Sequence, residues 1–116
     1  MAFIGDAVHT LFVRESVMRD KELTIKHYNK YCSTFCSAKT QSLVLDNIYD
    51  TLTEEEKDIV RRARNAKTNN VAKNSTIEEY KKATSFEALV GFLHLENKQE
   101  RLNQILKSSL QVLTVI

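Results

Sequence analysis

Apolar side chains recur along most of the chain at spacings of three and four residues, the period of an α-helix. The first predicted helix covers residues 2–18, and its predicted inward positions are Ile4, Ala7, Val8, Leu11 and Phe12. Further helices are predicted over 23–31, 33–49, 53–64 and 75–82, and from 97 onward. The stretch 86–95 is almost wholly apolar and is expected to be buried.

Two sequence patterns mark where helices begin. Thr53 with Glu56 fits a capping box, in which a hydroxyl residue and a glutamate three positions later satisfy each other's backbone N–H groups. Ser75 with Glu78 is a second candidate for the same motif. Between these helices, residues 68–75 form a polar, asparagine-containing stretch that is the best candidate for a functional loop.

Composition supports an all-α fold. The chain has 116 residues, 42% of them hydrophobic, with only two glycines and no proline. Turn-rich and strand-rich folds use both of those residues heavily, so their scarcity favours long helices in a single domain spanning 1–116. Two cysteines do not make a disulfide framework, and no apolar stretch is long enough to cross a membrane. We therefore expect a cytoplasmic protein with no membrane partner.

Two acidic residues occur where a helix should be apolar. Asp6 lies within Phe3-Ile4-Gly5-Asp6-Ala7-Val8, and Glu87 lies within 86–93. Burying an unpaired carboxylate is costly, so such acids are usually hydrogen-bonded, paired or bound to metal. The two glycines, Gly5 and Gly91, fall in the same two segments, where they leave room around the carboxylates.

Structural interpretations of both acids remain open at this stage. Thr84 with Glu87 also fits a capping box, in which Glu87 would only cap a helix. Asp6 lies so near the chain start that it is compatible with an acid favoured by the helix dipole. Spacing alone does not decide between these roles and a metal site.

A block of basic residues begins in the fourth predicted helix and continues beyond it. No acid occurs between Asp58 and Glu78, whereas the stretch contains several cations and asparagines. The residues that we expect to contact RNA are Arg61, Arg62, Arg64, Asn65, Lys67 and Lys73. Cations neutralise phosphates, and the absence of aromatic side chains argues against stacking of single-stranded bases. A duplex fits this surface better, although a solvated basic helix end is the alternative.

The other candidate residues are weaker. His9 follows Asp6 by three residues and is either near the same cleft or an ordinary core histidine. His27, Cys32 and Cys36 lack the spacing and the fourth ligand of a common zinc site. Cys36 is better interpreted as a small buried residue.

Four motifs resemble the ribonuclease III family. Residues 3–8 are similar to its signature Phe-Leu-Gly-Asp-Ala-Val, and residues 86–91 are similar to its second motif, Phe-Glu-Ala-Leu-Ile-Gly. Arg64-Asn65-Ala66-Lys67 and Ser37-Ala38-Lys39-Thr40-Gln41 resemble the Mini-ribonuclease III branch, which lacks a separate double-stranded-RNA-binding domain. The resemblance covers nearly the whole chain.

The resemblance implies an all-helical, symmetric homodimer that cuts both strands of double-stranded RNA and leaves 5′-phosphate ends. It implies that Asp6 and Glu87 are catalytic residues that bind Mg²⁺, with Mn²⁺ able to substitute, and that Phe3 lies near the dimer interface. It also implies processing of large-subunit (23S) ribosomal RNA, with a ribosomal protein as a candidate partner that presents the substrate.

The chain departs from the family pattern at two acidic positions. Ala2 stands where a glutamate usually precedes the signature aspartate by four residues, and Thr84 stands where an aspartate usually precedes the final glutamate by three. The Mini-ribonuclease III branch commonly shares both losses. The alternative functions are a non-catalytic ribonuclease III-like module that binds RNA or the ribosome, and a helical protein-interaction domain. Retention of both Asp6 and Glu87 favours the nuclease.

Overall fold

The computed structural model describes residues 1–66 and 75–115, with side chains as far as residue 111. Within these ranges the chain forms six α-helices and no strand, which confirms the all-α prediction. The helices are α1 (Ala2–Arg19), α2 (Ile25–Phe35), α3 (Ala38–Ile48), α4 (Glu54–Asn65), α5 (Ile77–Leu95) and α6 (Gln99–Val115). A single 3₁₀ turn, Tyr49–Thr51, follows α3.

Helix α5 is the centre of the fold because its C-terminal half is apolar on nearly every side. It packs against α1, α3, α4 and α6. Phe86, Leu89, Val90 and Leu93 are all completely buried. The expectation that 86–95 is buried is therefore confirmed for most of the stretch, while Leu95 at its end is exposed.

The observed capping boxes set the helix starts. Thr53 and Glu56 form the predicted box at the start of α4. The second box is formed by Thr76 and Glu79, so the prediction of Ser75 and Glu78 is wrong by one residue. Glu87 lies well inside α5, which excludes a capping role with Thr84.

Helix α1 buries a narrower face than its sequence predicted. Its buried positions are Gly5, His9, Val13 and Val17, which follow one another at four-residue spacing. Two positions predicted to point inward, Ala7 and Leu11, are exposed instead. Counting apolar residues misplaced the face because the contact with α5 is made through a glycine and a histidine, neither of which is strongly hydrophobic.

One ion pair connects the N-terminus of α4 to α6. The Arg101 guanidinium donates to both carboxylate oxygens of Glu56, at 2.8 and 2.9 Å. Glu56 is only 3% exposed. Bonding to Arg101 lowers the pKa of Glu56 below its ordinary value, even though burial opposes this. The pair compensates for burying a carboxylate at a helix junction.

In the described part of the chain, no helix has the length and apolar character needed to cross a membrane.

Candidate active site at the crossing of α1 and α5

The two glycines permit a close approach of α1 to α5. A Cβ atom added at Gly5 would overlap the backbone carbonyl of Glu87, and one added at Gly91 would overlap the backbone carbonyl of Met1. The two backbones therefore touch where most helices are separated by side chains. This approach places residue 6 of α1 beside residue 87 of α5.

Asp6 and Glu87 meet at this crossing, as the sequence suggested that they could. Asp6 is exposed, Glu87 is partly buried, and their side chains are hydrogen-bonded to each other. Burial, together with the neighbouring Asp6 carboxylate, raises the pKa of Glu87 to about 8. Glu87 therefore holds a proton more readily than an ordinary glutamate, and a cation between the two carboxylates would relieve their repulsion.

The first turn of α1 contains no acidic residue. Asp6 lies beyond that turn, so the helix dipole does not account for its position. Neither structural interpretation left open by the sequence describes what is seen, because each acid has the other as a direct partner.

A buried polar chain lies behind Glu87. Gln41 of α3 bonds to the carboxylate of Glu87 and lowers its pKa, opposing the effect of Asp6. The amide nitrogen of Gln41 also lies 3.1 Å from Nδ1 of His9. His9 is therefore a core histidine that contacts the site through Gln41. Sequence reasoning left the role of His9 open and gave Gln41 no functional role. The available signal was a run of polar residues, Thr40-Gln41-Ser42, all buried in the fold.

The two cysteines are not grouped with other possible metal ligands in the described residues. Cys36 lies near the acidic pair, with its sulfur 3.9 Å from Oγ1 of Thr10. Burial raises the pKa of the Cys36 thiol, which favours the neutral form over the thiolate that metals bind. In the ranges that the structure describes, no three His, Cys, Asp or Glu side chains are grouped to hold a metal ion.

The basic residues of α4 are arranged as local ion pairs. Arg61 and Arg62 both bond to Asp58, at 2.5 and 3.0 Å, and Arg64 pairs with Glu78. Asn65 is exposed at the end of α4. The other two residues that we expected to bind RNA, Lys67 and Lys73, lie outside the described residues.

Arg64 is placed relative to the acids through α5. Its partner Glu78 precedes Glu87 by nine residues on that helix, which corresponds to about 13 Å at 1.5 Å per residue. The structure thus places the described basic residues on a neighbouring part of the molecule, separate from the acidic pair.

Phe3 is 95% exposed, which leaves its ring without a partner in the monomer. On the same helix, Leu11 and Met18 are 59% and 70% exposed. A patch of exposed apolar side chains is typical of a protein-binding surface.

Comparisons with known proteins identify the family of the chain. The family model of the ribonuclease III domain matches residues 1–98. A Mini-ribonuclease 3 from Thermoanaerobacter sp. is 44% identical over 97% of this chain and 80% of that protein. A Mini-ribonuclease 3 from Staphylococcus aureus is 33% identical over the whole chain and 86% of that protein.

A crystal structure of a Fusobacterium nucleatum protein has the same fold. It superposes with a TM-score of 0.85, at 36% identity, over 95% of this chain and 88% of that one. The order of motifs, the helical fold and these relatives lead to one conclusion. The chain belongs to the ribonuclease III family of RNA endonucleases, within the group of Mini-ribonuclease 3 proteins.

Proposed function

We propose that the chain is a Mg²⁺-dependent endoribonuclease that hydrolyses both strands of double-stranded RNA, leaving 5′-phosphate ends. The observation that carries the proposal is the pairing of Asp6 with Glu87 where α1 and α5 touch. A pure binding module has no need for two carboxylates forced together at such a crossing.

The donor set fits Mg²⁺. This ion prefers one or two carboxylates, completes its coordination with water and substrate phosphate, and does not require a closed protein cage. Asp6 and Glu87 would hold it, and the exposure of Asp6 leaves one side open to water and RNA. When bound, the ion supplies Lewis-acid activation of water and neutralises charge at the leaving oxygen. Mn²⁺ has similar ligand preferences and is expected to substitute.

The protein's own residues supply orientation and RNA binding. Asp6 and Glu87 are held on two packed helices, so their separation changes little when substrate arrives. Arg61, Arg62, Arg64 and Asn65 would contact phosphates and sugars, together with Lys67 and Lys73. Their carboxylate partners do not prevent this, because exposed ion pairs are weak and RNA phosphates can replace them.

We also propose a symmetric homodimer joined through the exposed face of α1 that carries Phe3. Two copies would place two sites along one duplex, one for each strand. Family membership supports a substrate in the precursor of large-subunit (23S) ribosomal RNA, presented in the cytoplasm by a ribosomal protein. This part is tested by comparing a precursor duplex with an unrelated duplex of equal length.

The decisive experiment uses Glu87→Gln and Asp6→Asn. Each variant keeps the size of the side chain but replaces a carboxylate, which can bind a cation, with a neutral amide, so we expect RNA cleavage to be lost while helicity and dimerisation are retained. Cleavage of a long RNA duplex is measured with and without Mg²⁺. Ser85→Ala, a change on the same helix, serves as the control.

Cutting by either variant at the wild-type rate would refute the assignment of the site. Binding without cutting by the wild type would favour the non-catalytic module.

A further inference from the structure

Three polar side chains lie deep in an otherwise apolar interior. His9 of α1 is 0% exposed, Gln41 of α3 is 2% exposed and Ser109 of α6 is 1% exposed. Each comes from a different helix, and they are in contact one after another. Burial of this kind is costly unless every donor and acceptor is satisfied.

The direction of the hydrogen bonds follows from the single hydroxyl hydrogen of Ser109. The hydroxyl of Ser109 donates its single hydrogen to the backbone carbonyl of Leu106, at 2.5 Å. Oγ of Ser109 also lies 3.3 Å from Nε2 of His9. Because its only hydrogen is already used, Oγ must accept a hydrogen bond from Nε2, which therefore carries the imidazole proton. Nδ1 of His9 is then bare and accepts a hydrogen from the amide nitrogen of Gln41, 3.1 Å away.

The neighbours of His9 hold it in this state. Its ring meets Phe86 edge to face, with centroids 5.1 Å apart and planes at 84°, which limits rotation. Burial lowers the pKa of His9 to about 4, although Asp6 opposes this, so the ring is neutral at pH 7. A neutral ring has one donor and one acceptor, as the arrangement requires.

The orientation of the Gln41 amide is fixed as a consequence. Nδ1 of His9 accepts a hydrogen from the amide nitrogen of Gln41. If the amide were flipped by 180°, its oxygen would face the unprotonated Nδ1, and two acceptors repel each other. The NH₂ group has a second hydrogen, and the bond from Gln41 to Glu87 favours the ionised carboxylate. The second amide hydrogen is therefore available to the Glu87 carboxylate, whose pKa Gln41 lowers.

We propose that Ser109, His9 and Gln41 form a directional hydrogen-bond chain that positions the Glu87 carboxylate for metal binding. The inference rests on the proposed function, in which Glu87 is a metal ligand. Gln41 is the positioning residue in contact with Glu87, while His9 and Ser109 act through it. The chain also connects α6, which carries neither acid, to the site.

The first measurement is the protonation of His9 by ¹⁵N NMR of the imidazole in the full chain. We expect a proton on Nε2 in the wild type. In Ser109→Ala the acceptor for that proton is lost, so we expect the His9 signals to change. A wild-type His9 protonated on Nδ1 would reverse the direction of the bonds and overturn the proposal.

The second measurement is the affinity for Mn²⁺, which needs no turnover. Gln41→Leu removes both amide donors, and we expect Mn²⁺ affinity to fall roughly 10- to 100-fold, as is typical for residues that support a ligand. We expect kcat to fall with it, while the KM for duplex RNA stays unchanged. Ser109→Ala should give a smaller loss in the same direction.

Ser85→Ala is the matched control. Ser85 is also 0% exposed, and its hydroxyl donates to a carbonyl of its own helix, that of Lys81 at 2.8 Å. The two serine variants therefore delete the same buried group, and only Ser109 bonds to His9. This comparison still decides the question if Gln41→Leu fails to fold.

Two results would refute the positioning role. One is wild-type Mn²⁺ affinity in a folded Gln41→Leu, and the other is an equal loss in Ser85→Ala and Ser109→Ala. If the wild type bound no Mn²⁺ at all, the proposed function would fail, and the positioning role with it. The NMR result would then still report whether the hydrogen-bond chain exists.

Discussion

His9 makes the stability of this protein depend on pH. Its pKa is about 4 in the folded chain, mainly because of burial, against 6.5 when unfolded. Glu87, whose pKa is raised from 4.5 to about 8, contributes with the opposite sign between those two values. Between 4 and 6.5 the unfolded state binds more protons at His9 than the folded state does, so the His9 contribution to stability rises with pH. The contribution is fully present above pH 6.5 and is lost as the pH falls through 4.

We predict that His9→Gln removes, between pH 4 and 6.5, the part of the pH dependence in which stability rises with pH. At about 1.4 kcal/mol per pKa unit, the loss attributable to His9 in the wild type is on the order of 3 kcal/mol. Urea unfolding at several pH values measures it. His94→Gln, a change at an exposed histidine, is the control and should leave the wild-type dependence in place. An unchanged slope in His9→Gln would contradict the assignment.

At the scale of helices, the site depends on how closely α1 approaches α5. Both overlaps found at the glycines involve backbone atoms, which cannot turn aside as a flexible side chain can. The residue that each glycine contacts is different, however. Gly5 faces Glu87 in the middle of the buried central helix, whereas Gly91 faces Met1 at the start of α1.

We predict that Gly5→Ala is more damaging than Gly91→Ala. Alanine normally stabilises a helix by about 1 kcal/mol relative to glycine, so a loss of stability at position 5 would identify the close approach. Moving α1 away also separates Asp6 from Glu87, so Mn²⁺ affinity should fall as well. Thermal unfolding and Mn²⁺ titration of both variants measure this. A Gly5→Ala protein as stable as the wild type would contradict it.

At the scale of the whole molecule, two exposed surfaces are proposed to bind partners. The exposed apolar face of α1 is the proposed dimer interface, and the basic end of α4 is the proposed RNA-binding surface. Each surface makes a separate prediction, because the first is apolar and the second is charged.

We predict that Phe3→Ser shifts the protein from dimer to monomer, since it removes a 95% exposed aromatic ring from the proposed interface. Sedimentation at several concentrations measures the change. Ile77→Ser removes an apolar side chain that is 60% exposed on α5, and it should leave the dimer intact. Equal dissociation constants for Phe3→Ser and wild type would place the interface elsewhere.

We predict that Arg64→Ala weakens duplex binding and reduces the dependence of log K on log salt by roughly one unit, as expected for one phosphate contact. Binding is measured with Glu87→Gln as the background, so that the RNA is not cut. Arg19→Ala removes an exposed arginine that pairs with Glu15 at the far end of α1. If both changes had the same effect, the loss would reflect net charge and not a contact.

The sequence by itself predicted an all-α chain and identified the two acids, but it placed the break between α2 and α3 at residue 32 and ended at residue 82 a helix that runs to Leu95. Helical period and the scarcity of glycine and proline predicted an all-α chain, because these are local properties. The capping box at Thr53 was found because its two partners are three residues apart. Asp6 and Glu87 were found because each interrupts an apolar segment.

Only the tertiary structure decided which residues support those acids. Gln41 and Ser109 are ordinary polar residues in the sequence. Their shared partner, His9, lies 32 residues from Gln41 and 100 residues from Ser109. Periodicity also misplaced the inner face of α1, since the packing surface there is a glycine. The acids meet because two helix backbones touch, and contacts between distant segments leave no periodic signal along the chain.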